Sequence, residues 1–147
     1  MILVTKSFKF EMAHYLPNHN SNCKYIHGHS YKLEVTISAK DINRNENDSS
    51  CGMIIDFTKL KEIVTNEIIS KFDHSFTIWD KEVSNELKKA LEKFNDRVNY
   101  VPYRPTAENM CIDFYQRLKD KINNDNMLVK KIRIYETDTS YADFEID

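Results

Sequence analysis

The sequence predicts an α+β fold, and three patterns predict it. Residues 29–39 alternate strictly between apolar and polar side chains, as a half-buried strand does. Residues 57–68 and 107–122 carry apolar stripes at helical spacing, and a second alternating pair, residues 131–137 and 141–146, closes the chain. Strand pairs at both ends with helices between them give each pair an amphipathic face to pack against, which is the α+β layer arrangement. At 147 residues the chain reads as one domain, residues 1–147, long enough to bury a core without disulfides or a metal staple.

The charge balance removes several function classes. A formal net charge of −2, with both signs interspersed, gives no basic field for nucleic acid and no polybasic anchor for a membrane. No apolar run approaches the roughly 18 residues of a spanning helix. Three cysteines, an odd number in a chain without a signal-like start, point to free thiols and a cytoplasmic location.

Taken in order, residues 2–14 read as a strand with Phe8, Phe10, Met12 and His14 on one face. Residues 15–26 have a loop composition, with Pro17 and several Asn and Ser. In the strand of residues 29–39 the face of Tyr31, Leu33, Val35 and Ile37 also carries His29, and His27 continues it. Residues 40–51 are polar and unpatterned and read as a mobile excursion, followed by a short apolar strand at 53–55. Asp56 is placed to cap a helix with the stripe Phe57, Leu60, Ile63, Val64 and Ile68. A weaker helix follows, with Ser84 as cap and Leu87, Ala90, Leu91 and Phe94 as its stripe, and a short strand at 98–101. Pro105-Thr106 opens a third helix whose stripe includes Cys111, a core position.

The chemistry concentrates in Cys23-Lys24-Tyr25-Ile26-His27-Gly28-His29. Histidines at i and i+2 of a strand point to one side and can reach one ion, and an antiparallel partner would bring His14 to them. A lone His-x-His is more often incidental, so the weight rests on the third imidazole. Three neutral imidazoles fit zinc at a site with an open fourth position. Cys23 could complete a closed structural site or stand free as a thiolate base beside the cation. Asp73-His74 pairs a carboxylate with an imidazole, a common proton-relay arrangement and a weak signal as a dipeptide. Glu136 shares a face with Ile132 and Ile134, so it is either a wetted strand end or is met by fixed donors.

Six segments in this order resemble the 6-pyruvoyltetrahydropterin and 6-carboxytetrahydropterin synthase family. They are Phe10-Glu-Met-Ala-His14, Cys23-x-x-x-His27-Gly28-His29, Gly52-Met-Ile-Ile-Asp56-Phe57, Asp73-His74, Pro105-Thr106-Ala107-Glu108-Asn109 and Glu136-Thr-Asp-Thr-Ser-Tyr-Ala142. The resemblance implies a tunnelling fold, in which four-stranded antiparallel sheets with helices on one face join into an oligomeric barrel. The implied assembly is a homohexamer, a dimer of trimers, with sites between subunits. It implies His14, His27 and His29 as Zn2+ ligands, Cys23 as the proton-abstracting thiolate and Asp73 with His74 as the relay. It further implies Glu136 as the anchor of the pterin ring, with Thr106 and Glu108 lining the same pocket, although both could serve only to cap a helix. Three residues between the cysteine and His-Gly-His resemble the carboxy-forming branch of queuosine synthesis; the pyruvoyl-forming enzymes usually have a longer spacer there. The implied substrate is 7,8-dihydroneopterin triphosphate. The other classes are a structural zinc module and a pterin-binding protein without turnover; alkylation of Cys23 with zinc retained separates the first from an enzyme.

Overall fold

A computed structural model describes residues 1–94 and 97–147. Its frame is a long antiparallel hairpin of β1 (Ile2–His14) and β2 (His27–Ala39). The register pairs His14 with His27, Ala13 with Gly28 and Met12 with His29, so the strand ends nearest the connecting loop carry the histidines. A strand of the closing pair, β5 (Met127–Thr137), joins β2 antiparallel and is followed by β6 (Ser140–Glu145).

The sheet departs from the expected four antiparallel strands. It has six strands and is mixed, because β3 (Ser75–Trp79) pairs parallel with β1, and β4 (Val98–Val101) pairs parallel with β3, giving the order β4-β3-β1-β2-β5-β6. Ser75-Phe-Thr-Ile-Trp79 is a short β-branched and aromatic run with no clean alternation. Ser75 to Ile78 are all buried, which removes the alternation that marks a one-sided strand.

Helices cover one face of this sheet. α1 (Phe57–Val64) starts at Asp56, whose Oδ1 accepts from the Thr58 amide at 2.7 Å, and runs through a π-helical turn (Thr65–Ile69) into α2 (Ser70–Phe72). α4 (Ala107–Ile122) is capped by Thr106, whose hydroxyl accepts from the Asn109 amide at 3.3 Å. Leu60, Val64, Ile68 and Phe72 meet Met110, Cys111, Phe114 and Leu118 over Phe10, Leu33, Val35 and Ile134, all buried in one cluster. Cys111 is in that core as expected, and burial pushes its thiol up to about 12.

Three further expectations need correction. Residues 53–55 form no strand: turns tie Asn43 to Gly52 and Met53, and Ile54 and Ile55 lean on the core from a loop. Residues 40–51, read as a mobile excursion, fold into successive turns in which Asn43, Asn45 and Asp48 side chains accept from backbone amides two residues on. The helix α3 (Asn85–Phe94) does form, and Ser84 accepts from the Leu87 amide, but none of its residues is buried and Phe94 is 80% exposed.

Gly28 is required where β1 and β2 approach beside the histidines. A Cβ there would stand 3.2 Å from the Met12 carbonyl oxygen and 3.7 Å from the Ala13 Cα. Gly28→Ala therefore crowds backbone against backbone and should lower stability by about 1–3 kcal/mol, the usual cost of overpacking. Urea unfolding measures this, and an unchanged midpoint would show that the hairpin yields freely at this point.

Candidate metal site

The hairpin register delivers the three histidines to one point. His14 is the last residue of β1 and His27 the first of β2, directly opposite, with His29 on the same face two residues on. Their donor atoms all lie within 4.8 Å of one another, close enough to hold a metal ion. His14 is buried and the other two are partly buried.

The backbone fixes which nitrogen each ring presents. His14 Nδ1 lies 2.8 Å from the Pro105 carbonyl oxygen, and His27 Nδ1 lies 2.7 Å from that of Tyr25. A carbonyl only accepts, so each Nδ1 carries the proton and each neutral ring turns a bare Nε2 inward. Those two Nε2 atoms are 2.9 Å apart. Two lone pairs at that separation repel unless an electrophile lies against them. Burial pushes His14 below the ordinary imidazole value, against the pull of the Pro105 carbonyl, and the neighbouring His27 pushes it further down. A proton is thus disfavoured, and a metal ion is the electrophile that suits the donors.

The third ring supports the same conclusion. His29 Nε2 is buried with no hydrogen-bond partner. Glu136 Oε1 is 3.2 Å away, within ion-pair distance but outside hydrogen-bond geometry. Burial lowers His29 as well, opposed by Glu136 and reinforced by His27. Three histidines whose donor atoms cluster in this way, one of them buried without a hydrogen-bond partner, could hold a metal ion.

Glu136 reaches this point because the β5–β6 pairing shifts register between Tyr135 and Thr137. The extra residue of a bulge re-aims a side chain. With Glu108, Ala107, Ser140, Tyr141 and Ala142 it lines a cavity of about 140 Å³. Thr106 does not line it; its hydroxyl is used in capping α4. Cys23 sits in a single 3-10 turn, Asn22–Lys24, capped by Ser21, as a half-buried free thiol. It is outside the group of donors that share the metal position.

Asp73 and His74 lie outside the group of donors at the metal position. Asp73 Oδ1 accepts from the Glu11 amide at 2.9 Å and lies 3.0 Å from His74 Nδ1. Burial opposes ionisation of Asp73, but the Glu11 amide, His74 and Arg97 outweigh it and hold the carboxyl below its usual range. His74 lines a cavity of about 450 Å³ with Glu11, Ser30, Gly28, Phe76 and, from the face of the imidazoles, Met12 and His29. Glu11 and Ser30 alternate with Met12 and His29, so their side chains turn away from the imidazoles, and His29 is the one residue of the three that also borders this cavity.

The model of the family described as 6-pyruvoyl tetrahydropterin synthase matches residues 3–147. The chain belongs to this family. Among its relatives is the 6-carboxy-5,6,7,8-tetrahydropterin synthase of Haemophilus influenzae, 36% identical over 147 residues that cover 99% of each chain. Another, so named from Rickettsia bellii, is 30% identical over 97% of this chain and 99% of its own. Solved structures share the family fold: an uncharacterized protein of Wolinella succinogenes has a TM-score of 0.75 at 19% identity, covering 99% of this chain and 98% of its own. The Caenorhabditis elegans 6-pyruvoyl tetrahydropterin synthase has a TM-score of 0.67 at 21% identity, over 99% and 96%. The tunnelling fold expected for the family is therefore present, with two strands more than expected.

Sequence reasoning located the three histidines but missed what orients them. The carbonyls of Tyr25 and Pro105 carry no side-chain signal; only the position of Pro105 just ahead of a helix cap pointed to a rigid carbonyl. Tyr31, which the alternation places on the face of His29, is buried with its hydroxyl 3.5 Å from His14 Nδ1.

The lowered histidines set a pH dependence for the metal-free protein. As pH falls through about 6.5, unfolded imidazoles take up protons while folded His14 and His29 stay neutral, so stability falls downward from that pH. The loss should reach at most about 1.4 kcal/mol per pH unit for each histidine. Denaturation in chelator between pH 7.5 and 5.5 measures it; flat or rising stability on acidification would contradict the assigned burial and tautomers.

Proposed function

We propose that this chain is a zinc-dependent 6-carboxy-5,6,7,8-tetrahydropterin synthase. The observation that carries the reading is the clustering of the donor atoms of three histidines, with Glu136 beside His29, in a chain whose relatives bear that name along their full lengths. The reaction takes 7,8-dihydroneopterin triphosphate and water to 6-carboxytetrahydropterin, acetaldehyde and triphosphate. Zinc held by His14, His27 and His29 supplies Lewis-acid polarisation of the substrate's side-chain oxygens.

The chain's own residues divide the remaining work. Glu136 accepts from the ring NH and exocyclic amine of the pterin, a charge-assisted pair like one to a guanidinium. Glu108 lines the same cavity, and Thr106 holds the helix start that carries it. Cys23, outside the metal donors, takes the proton from the substrate side chain as thiolate. His74, oriented by Asp73, passes protons on.

A homo-oligomer, expected as a hexamer, accounts for two features of the single chain. A cavity of about 140 Å³ at Glu136 is small against ligand pockets of about 300–1,000 Å³, and His74 lines a different cavity, which His29 alone of the three histidines borders. Assembly through the sheet edges would let His74 of one copy serve the site of another. No helix among the described residues is long and apolar enough to cross a membrane.

Cys23→Ala should retain one zinc per chain and lose turnover, read by metal analysis and mass spectrometry of the products. His74→Ala should be equally inactive. Co-assembling the two variants should restore activity at about a quarter of the sites if the two residues come from different copies. No recovery from mixed assemblies would place both in one chain. Glu136→Gln turns a donor toward the pterin donors, and loss of a charge-assisted pair costs about 1.5–3 kcal/mol, so pterin should bind roughly ten- to a hundredfold more weakly with zinc retained. Calorimetry with unchanged affinity would remove Glu136 from the pocket.

A further inference from the structure

His74 has φ +58°, a left-handed backbone angle that favours glycine, and it is the one non-glycine residue with positive φ among those described. Asp73 has φ −63° and ψ 129°. Together these angles match a type II turn, whose third position is usually Gly or Asn. A flip of the Asp73–His74 peptide would convert it to a type I turn and return His74 to ordinary angles. Something must hold the peptide against that flip.

Both ends of the peptide are gripped. Its N–H, on His74, donates to the Glu11 carbonyl at 2.6 Å. Its C=O, on Asp73, accepts from Arg97 Nη2 at 2.6 Å. The same Nη2 reaches the Ser70 carbonyl at 3.1 Å, Asn99 Nδ2 reaches that of Lys71 at 2.9 Å, and the Ser75 hydroxyl reaches that of Phe72 at 2.7 Å. The last carbonyls of α2 and its cap are thus satisfied by side chains from β3, β4 and the residue preceding β4, where helix ends ordinarily turn to solvent. Arg97 is itself held in place by its carbonyl, which accepts from the Phe76 amide at 2.9 Å where β4 begins to pair with β3.

We propose that Arg97, with Asn99 beside it, is a positioning residue for His74. It locks the Asp73–His74 peptide in the strained orientation that turns the imidazole into the cavity shared with Glu11 and Ser30. The inference rests on the reading of Asp73–His74 as the relay, and it gives the added strands β3 and β4 a task in that site.

Two readouts on the full-length, metal-loaded protein test it. In Arg97→Gln, amide hydrogen exchange at His74 should speed up at least about tenfold with the central strands unchanged, because the carbonyl clamp that opposes the flip is gone. Turnover should fall about tenfold or more through kcat, a displacement effect, with KM and zinc content within about twofold. Arg97→Lys, which keeps a cationic donor, should recover most of both. Unchanged His74 exchange in Arg97→Gln would overturn the proposal, as would a loss of kcat that only tracks lost zinc or lost folded protein. Full turnover by His74→Ala would instead end the relay reading, while the exchange measurement still decides whether Arg97 holds the peptide.

Discussion

Two imidazole nitrogens 2.9 Å apart, each stripped of its proton by a backbone hydrogen bond on the other side of the ring, are the constraint around which this molecule is built. The arrangement is unfavourable unless a positive centre lies against it, and burial of His14 makes a proton a poor choice. Every element near the site contributes to holding it. The β1–β2 register sets His14 opposite His27, and Gly28 allows the strands to approach there. The Thr106 cap and the start of α4 fix Pro105, whose carbonyl sets the His14 tautomer. Partners beyond the ligands, not the ligands alone, determine what such a site binds.

The candidate residues fall into two groups. His14, His27 and His29 cluster with Glu136 beside them, while Asp73 and His74 pair with each other and are anchored to the Glu11 amide. In a single chain the Asp73–His74 pair is not part of the group that the three histidines form. That division fits a fold whose exposed sheet edges invite a second copy.

Much of this was legible in the sequence, for identifiable reasons. Strict alternation in residues 29–39 and the histidines at i and i+2 gave the strand, its buried face and two of the three clustered histidines together, and the apolar face of residues 2–14 gave the third. Asp56, Ser84 and Thr106 were recognisable as helix caps because their side chains perform that role locally. What stayed hidden is non-local or carried by backbone. Ser75–Trp79 becomes a strand through parallel pairing with β1, a contact that sequence periodicity cannot express, and its burial on both faces erased the alternation. The stripe of α3 was read from spacing, yet spacing alone does not supply a surface to pack on, and Phe94 is exposed. Carbonyls and a peptide orientation leave no mark in residue types.

X-ray absorption at the zinc edge tests the metal centre most directly, because it reads the donor atoms without passing through activity. The account predicts a bound zinc whose near shell contains only nitrogen and oxygen at about 2.0–2.1 Å, three of the scatterers showing the outer-shell pattern of imidazole. A sulfur scatterer at about 2.3 Å would make Cys23 a ligand and the site a closed structural one. Failure of the purified protein to bind zinc would contradict the convergence of the three nitrogens as a metal centre.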